Sequence, residues 1–169
     1  MLPSLDPTTG FLPLGAHAAT LGDIRDTFVT RAPNPARREL IFEALVLYFN
    51  ALKTFFPSGL ALVDGGFTTH KAEVPHDVDV ALLPDDPDAA LAWTDQQLAD
   101  WQGMLTLRDV IIGGEDAAYL ERVQPFGGLL DSFLAAPERE FQWRNLWSAI
   151  RAEDGSPIPN RKGYLEVRW

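Results

Sequence analysis

The sequence predicts an α/β (α+β) domain built on one sheet with helices packed against it. Three observations carry that expectation. A long apolar-striped stretch, Ala36 to Phe56, runs almost directly into a short, continuously apolar segment, Leu60 to Val63. A second strand-like run, Asp77 to Leu83, alternates acid and apolar residues at its start. Helix-like and strand-like segments then interleave toward the end of the chain, the pattern of a sheet covered by helices.

Composition agrees with one ordinary folded unit. The chain has 169 residues, a length that suits a single domain over residues 1–169. Hydrophobic residues make up 46% and charged residues 22%, with five Trp, ten Phe and three Tyr to anchor a core. There is no cysteine, which excludes disulfides and thiolate metal sites. Any metal must be held by carboxylate, His or backbone oxygen, which favours Mg²⁺ or Mn²⁺. No apolar run approaches the roughly 20 residues that span a bilayer. Met1 to Pro7 lacks the pattern of a signal peptide, so a cytoplasmic location is expected. Net charge is −10, which argues against non-specific nucleic-acid binding. Two basic groups, Arg31/Arg37/Arg38 and Arg161/Lys162/Arg168, read as solvated surface charges, the first leaving room for a local patch.

The elements follow in order. Residues 1–18 are rich in Pro and Gly and read as an extended arm. Thr20 with Asp23 forms a capping-box pattern for a helix from about Leu21 to Thr30, presenting Ile24 and Phe28 on one face. Ala32-Pro33-Asn34-Pro35 breaks it. The next helix, Ala36 to Phe56, carries Leu40, Ala44, Leu47 and Ala51 at helical spacing, widened by Ile41, Leu45, Leu52 and Phe55. Leu60 to Val63 reads as a buried strand and Asp77 to Leu83 as the next. Asp86 at the N-cap and Pro87 at the first helical position open a helix to about Trp101. Thr106 to Ile112 reads as a strand, Glu115 to Val123 as a helix, and Gly127 to Leu134 as a strand. Pro137 opens a helix with Phe141, Leu146 and Ile150 inward. Asp154 to Pro157 is a turn, and Tyr164 to Val167 a last strand.

The stretch that carries chemistry runs from Val63 to Val80. A glycine pair, Gly65-Gly66, directly follows a buried strand, and Asp77 and Asp79 sit two residues apart on the next. Residues i and i+2 of a strand share a face, so the two carboxylates project together while Val78 and Val80 enter the core. Paired carboxylates repel each other, and a hard divalent cation removes that penalty. Glycines leave backbone N–H groups open to a phosphate. Thr68, Thr69 and Lys71 add hydroxyl and ammonium donors. Together these features fit a metal-bound triphosphate.

The arrangement resembles the nucleotidyltransferase superfamily, marked by an apolar residue, Gly, then Gly or Ser, a loop, and an Asp-apolar-Asp strand. Gly65-Gly66 and Asp77-Val78-Asp79 match those parts. The wider sequence is similar to small bacterial and phage nucleotidyltransferase-like proteins. It does so through Leu12-Pro13-Leu14-Gly15-Ala16-His17, Thr20, Asp64 to Lys71, Pro75-His76-Asp77-Val78-Asp79 and Lys162-Gly163. Gly66 stands where many of those proteins carry Ser, which removes one hydroxyl contact to phosphate. The resemblance implies a nucleotidyltransferase-like mixed sheet flanked by helices. It implies two metal ions, Mg²⁺ or Mn²⁺, roughly 3.5–4 Å apart, and transfer of NMP from an NTP to a hydroxyl on protein, RNA or a small molecule. It also implies a third carboxylate, for which Asp131 is the candidate and Asp109 the alternative. A toxin–antitoxin or phage-defence setting with a partner protein belongs to the same likeness. The competing expectation is a weakened binding module or antitoxin-like protein on the same fold.

Other residues have quieter readings. His70 and His76 flank the site and read as loop histidines making ordinary hydrogen bonds. His17 anchors the arm. Trp93, Trp101, Trp143 and Trp147 read as core. Asp64 turns away from the site or bonds the glycine loop, and Glu166 is a strand carboxylate.

Overall fold

Thr20 starts the first helix because its hydroxyl accepts the Asp23 backbone N–H while the Asp23 carboxylate accepts the Thr20 backbone N–H. The computed structural model describes residues 1–113, 117–152 and 154–169. Strand β1 (Gly15–Ala18) precedes helix α1 (Leu21–Arg25), which continues as a π-helical turn over Asp26–Thr30. Ile24 and Phe28 are fully buried, on the face the spacing predicts.

Helix α2 (Pro35–Leu52) begins on a proline, whose missing N–H costs nothing at a first position. Its inward face differs from the expected stripe. Ile41, Phe42, Leu45, Tyr48, Phe49 and Leu52 are buried, whereas Leu40 and Leu47 are exposed. Three aromatic rings on one side bury more surface than two leucines on the other, and the wholly buried Arg38 fixes the same rotation. The helix ends at Leu52, earlier than expected. Phe55 and Phe56 leave it to pack with Trp93 and Trp101 in edge-on and tilted pairs.

The remaining elements are β2 (Gly59–Asp64), β3 (Val78–Pro84), α3 (Asp95–Gln102), β4 (Leu107–Ile112), β5 (Ala118–Val123), β6 (Leu130–Leu134), α4 (Glu140–Trp147), β7 (Ile150–Arg151), β8 (Pro157–Ile158) and β9 (Gly163–Arg168). The main sheet has the order β1-β9-β2-β3-β6. Its ladders are parallel at β1/β9 and β3/β6 and antiparallel at β9/β2 and β2/β3. The fold is therefore α+β around a mixed sheet.

Alternation along the strands makes two cores. Val63, Val78, Val80, Leu130 and Leu165 join α1 and α2 in the larger one. Leu62, Ala81 and Tyr164 meet Trp147 of α4, with Trp143 and Phe133 beside them. Trp147 also donates its ring N–H to the Leu62 carbonyl at 3.2 Å. In α4 the tryptophans take the inward face, and Phe141 and Leu146, expected there, are exposed. Ile150 has left the helix for β7.

Three further segments depart from expectation. The helix expected over residues 86–101 is split: a 3₁₀ turn covers Pro87–Ala92, and Thr94 caps α3 anew through a box with Gln97. The strand expected from Gly127 starts only at Leu130, because Pro125–Gly128 forms a 3₁₀ turn. Glu115 lies outside the described residues, but Ala118 to Val123, expected to be helical, is strand β5. It pairs antiparallel with β4 as a hairpin separate from the main sheet. Both hairpin strands are largely exposed, so neither shows the one-sided alternation that marks a half-buried strand. No helix among the described residues is long and apolar enough to cross a membrane.

Candidate functional site

Strand pairing gathers the acids. Asp64, the last residue of β2, stands opposite Asp79 on β3, and Asp79 stands opposite Asp131 on β6. Residues directly opposite in a ladder project from the same face, so the three form a row across adjacent strands. Asp77 precedes β3 by one residue and joins that face two positions from Asp79. Val78, Val80 and Leu130 are wholly buried on the α2 side, which forces the intervening aspartates to the other face. Asp64 and Asp131 are buried, while Asp77 and Asp79 are partly exposed.

The glycine pair is built around this row. Gly65 has φ +95°, and a Cβ there would overlap the Asp79 carboxylate, so only glycine lets the backbone pass. Gly66–Thr68 is a 3₁₀ turn. The Thr68 hydroxyl lies 3.2 Å from Asp64 Oδ1 and 3.1 Å from the Gly65 carbonyl, to which it donates. The Thr69 hydroxyl donates to the Gly66 carbonyl at 2.9 Å.

The N-terminus of α2 clamps the loop that follows. Arg38, wholly buried, donates to the carbonyls of Pro33, Phe28, Phe67 and Thr69. Arg37 donates to the carbonyls of Pro75 and His76, and Asn34 to that of Ala72. Arg31 bonds the Asp26 carbonyl and the Thr27 hydroxyl. Of the expected Arg31/Arg37/Arg38 surface patch, Arg37 and Arg38 are loop anchors, with Arg38 inside the protein, while Arg31 stays exposed against its own helical turn.

Two cations answer the four carboxylates. Lys162, buried just before β9, pairs with Asp64 at 2.5 Å. It was expected on the surface, and burial of Asp64 draws it inward. Arg122, near the end of β5, pairs with Asp131 Oδ2 and stands 3.7 Å from Asp77 Oδ2. Gln124 donates to Asp77 Oδ2 at 3.1 Å. Asp131 Oδ1 is buried with no hydrogen-bond partner among the described residues. Burial, then the charges of Asp77, Asp64 and Asp131, push the Asp79 carboxyl up to about 7. Burial also raises Asp64 to about 6, against the pull of Lys162. With Arg122 between Asp77 and Asp131, no three Asp, Glu or His side chains among the described residues stand at metal-ligand spacing.

The family of unknown function DUF6932 matches residues 3–168. The chain belongs to that family. No curated protein and no solved structure matches it. The matched span takes in the arm, the acid row and β9, so every residue of the site lies in the DUF6932 region.

The other residues singled out in this DUF6932 chain lie around the row or apart from it. The Lys71 ammonium sits over the Phe11 ring, 5.1 Å from its centroid. It lines a cavity of about 760 Å³ between the arm and residues 70–73, which none of the four aspartates lines. His70 bonds the Thr27 carbonyl at 2.8 Å and meets Phe28 edge-on. His76 is exposed. His17 bonds the Pro13 carbonyl at 2.7 Å and so ties down the arm. Asp109 stands on the hairpin, where Tyr119 donates to it at 2.5 Å. Glu166 pairs with Arg144 of α4. The four tryptophans lie in aromatic clusters.

Lys162, Arg122 and Gln124 are the members of this neighbourhood that sequence reasoning missed, whereas Asp64, expected to turn away or to bond the glycine loop, does the latter through Thr68. Asp64 carried a usable signal, since it ends a buried strand directly before the glycine pair. Lys162 and its partner are 98 positions apart, and no local pattern joins them.

Proposed function

We propose that this chain is a metal-dependent nucleotidyltransferase that moves NMP from an NTP to a hydroxyl acceptor on a protein, an RNA or a small molecule. The observation that carries the proposal is the register of Asp64, Asp79 and Asp131, with Asp77 beside them and Gly65-Gly66 at the end of β2. A nucleotidyltransferase-like sheet places its acids in this way according to the resemblance in the sequence.

The acids of the row would suit a divalent cation once Arg122 withdraws, although with Arg122 seated they do not stand at metal-ligand spacing. A buried carboxylate oxygen without a donor among the described residues, Asp131 Oδ1, costs free energy that a cation removes. Burial first, and then its acid neighbours, hold the Asp79 proton to about 7, and a positive ion reverses the second of these causes. Asp77, Asp79 and Asp131 would hold Mg²⁺ or Mn²⁺. When bound, the metal neutralises carboxylate and triphosphate charge and stabilises charge developing at phosphorus. Lys162 keeps Asp64 ionised and occupied, which leaves Asp64 as a wall of the site rather than a ligand. Gly65 and Gly66 offer backbone N–H groups to phosphate. Thr68 and Thr69 shape that turn through their internal hydrogen bonds. Lys71 would reach a γ-phosphate only after leaving Phe11. The acceptor oxygen forms its bond to the α-phosphorus as the bond to pyrophosphate breaks, and Asp131 takes the acceptor proton.

One observation favours a second reading, a binding module or antitoxin-like partner with a weakened site: Arg122 already occupies the space between Asp77 and Asp131. Titration calorimetry separates the two. Each of the four NTPs is titrated with Mg²⁺ into wild type and into Asp77→Asn/Asp79→Asn. Heat of binding in wild type that the double variant loses supports the transferase. Absence of binding in wild type favours the module.

A further inference from the structure

Arg122 reaches the acid row from outside the main sheet. Its strand, β5, pairs only with β4 among the described strands, and most residues of that hairpin are exposed. Few buried contacts fasten such a unit to the body, so it belongs to the least stable part of the fold. The Arg122 side chain is 36% exposed, whereas that of Asp131 is 9% exposed. A guanidinium at this depth can turn into water along its flexible stem at small cost. Asp131 cannot leave.

The contacts made by the guanidinium are those a cation would make. It pairs with Asp131 Oδ2 and stands close to Asp77 Oδ2, joining the residue that precedes β3 to the start of β6. It serves only part of the site, however. Asp131 Oδ1, on the same buried carboxylate, has no partner among the described residues. A planar donor fork approaches from one side, while a small divalent ion can accept oxygens from several directions at once.

We propose that Arg122 is a resident counter-cation that a divalent metal ion must displace, so that metal binding is coupled to release of the β4–β5 hairpin. This rests on the metal site proposed above. While Arg122 is seated, the site is closed to metal. When the ion arrives, the guanidinium withdraws and the hairpin loses its ionic tether.

The probe is Mn²⁺ alone, without nucleotide, added to the full chain and followed by calorimetry and by the loss of free-ion spin resonance signal. Wild type, Arg122→Gln, Arg122→Lys and Asp131→Asn are compared. Removing the competing charge is expected to tighten Mn²⁺ on the order of tenfold in Arg122→Gln. Arg122→Lys, which keeps the charge but not the fork, falls between. In wild type, saturating Mn²⁺ is expected to speed amide exchange in Leu107–Ile112 and Ala118–Val123. That measurement needs no variant to fold. Equal Mn²⁺ affinity in wild type and Arg122→Gln, with binding lost in Asp131→Asn, overturns the displacement while leaving the metal site standing. So does a loss of Mg·NTP affinity in Arg122→Gln at unchanged Mn²⁺ affinity, which would make Arg122 a triphosphate contact instead. If no protein in the set binds Mn²⁺, the proposed metal site falls, and the displacement with it.

Discussion

Replacing Asp79 by Asn should stabilise the protein at alkaline pH, an unusual direction for a substitution in a buried sheet. Asp79 has no hydrogen bond to its carboxylate among the described residues, and it faces three other aspartates. Its ordinary value is 3.8 and its folded value about 7. Below about pH 4 both folded and unfolded chains hold the proton, and the residue costs nothing. As pH rises toward 7 the unfolded chain ionises first, so the folded state binds the extra proton and stability falls. Above 7 the penalty is complete. At face value it is on the order of 4 kcal/mol, and partial access of water to the carboxylate reduces it to about 2 kcal/mol. Asn keeps the shape and carries no charge. Urea unfolding of chelator-treated wild type and Asp79→Asn at pH 4 and pH 8 measures the difference directly. The two should be nearly equal at pH 4, with the variant about 2 kcal/mol more stable at pH 8. A variant no more stable than wild type at pH 8, or a gap independent of pH, would refute the electrostatic account of the row.

Two further perturbations test its scaffold. Arg38→Met strands carbonyls of Pro33, Phe28, Phe67 and Thr69 in the interior. It should cost at least about 3 kcal/mol in denaturant unfolding, with increased proteolysis between Phe67 and His76; a loss below about 1 kcal/mol would mean that the clamp is dispensable. Gly65→Ala drives a methyl group into the Asp79 carboxylate at a positive φ. It should destabilise by about 1–3 kcal/mol and weaken Mn²⁺ binding together, which melting curves and metal titration would show. A stability loss with intact metal binding would separate the glycine from the acids.

The part of the site legible in the sequence was the part written locally. Asp77 and Asp79 follow from a period of two, and Gly65-Gly66 from their place after an apolar run. Asp131 lay in an apolar segment with no motif around it, and only the parallel register of β3 and β6 sets it beside Asp79. Arg38 looked like one of three neighbouring surface arginines, because nothing local reveals that four carbonyls from other segments converge on it. In the fold, α2 was plain from its spacing, but its facing was not. Leu40 and Leu47 fit the helical stripe as well as Phe42 and Phe49 do, and tertiary packing chose the larger rings. The hairpin was the main loss. With both faces in water, Ala118 to Val123 carries no strand period to read.

The position of β9 bears on how the protein is made. Residues 163–168 slot between β1 and β2, pairing with one on each side. Synthesis runs from the N-terminus, so β1 and β2 leave the ribosome long before the strand that joins them. Until it emerges, β1 has no ladder partner and β2 offers a bare edge to any passing chain. Lys162 arrives with it, so Asp64 waits through the same interval without its ammonium. The nascent chain is therefore held in a sticky, half-zipped form until residues 163–168 emerge, and the sheet closes only from that point, or is shielded by a chaperone up to it.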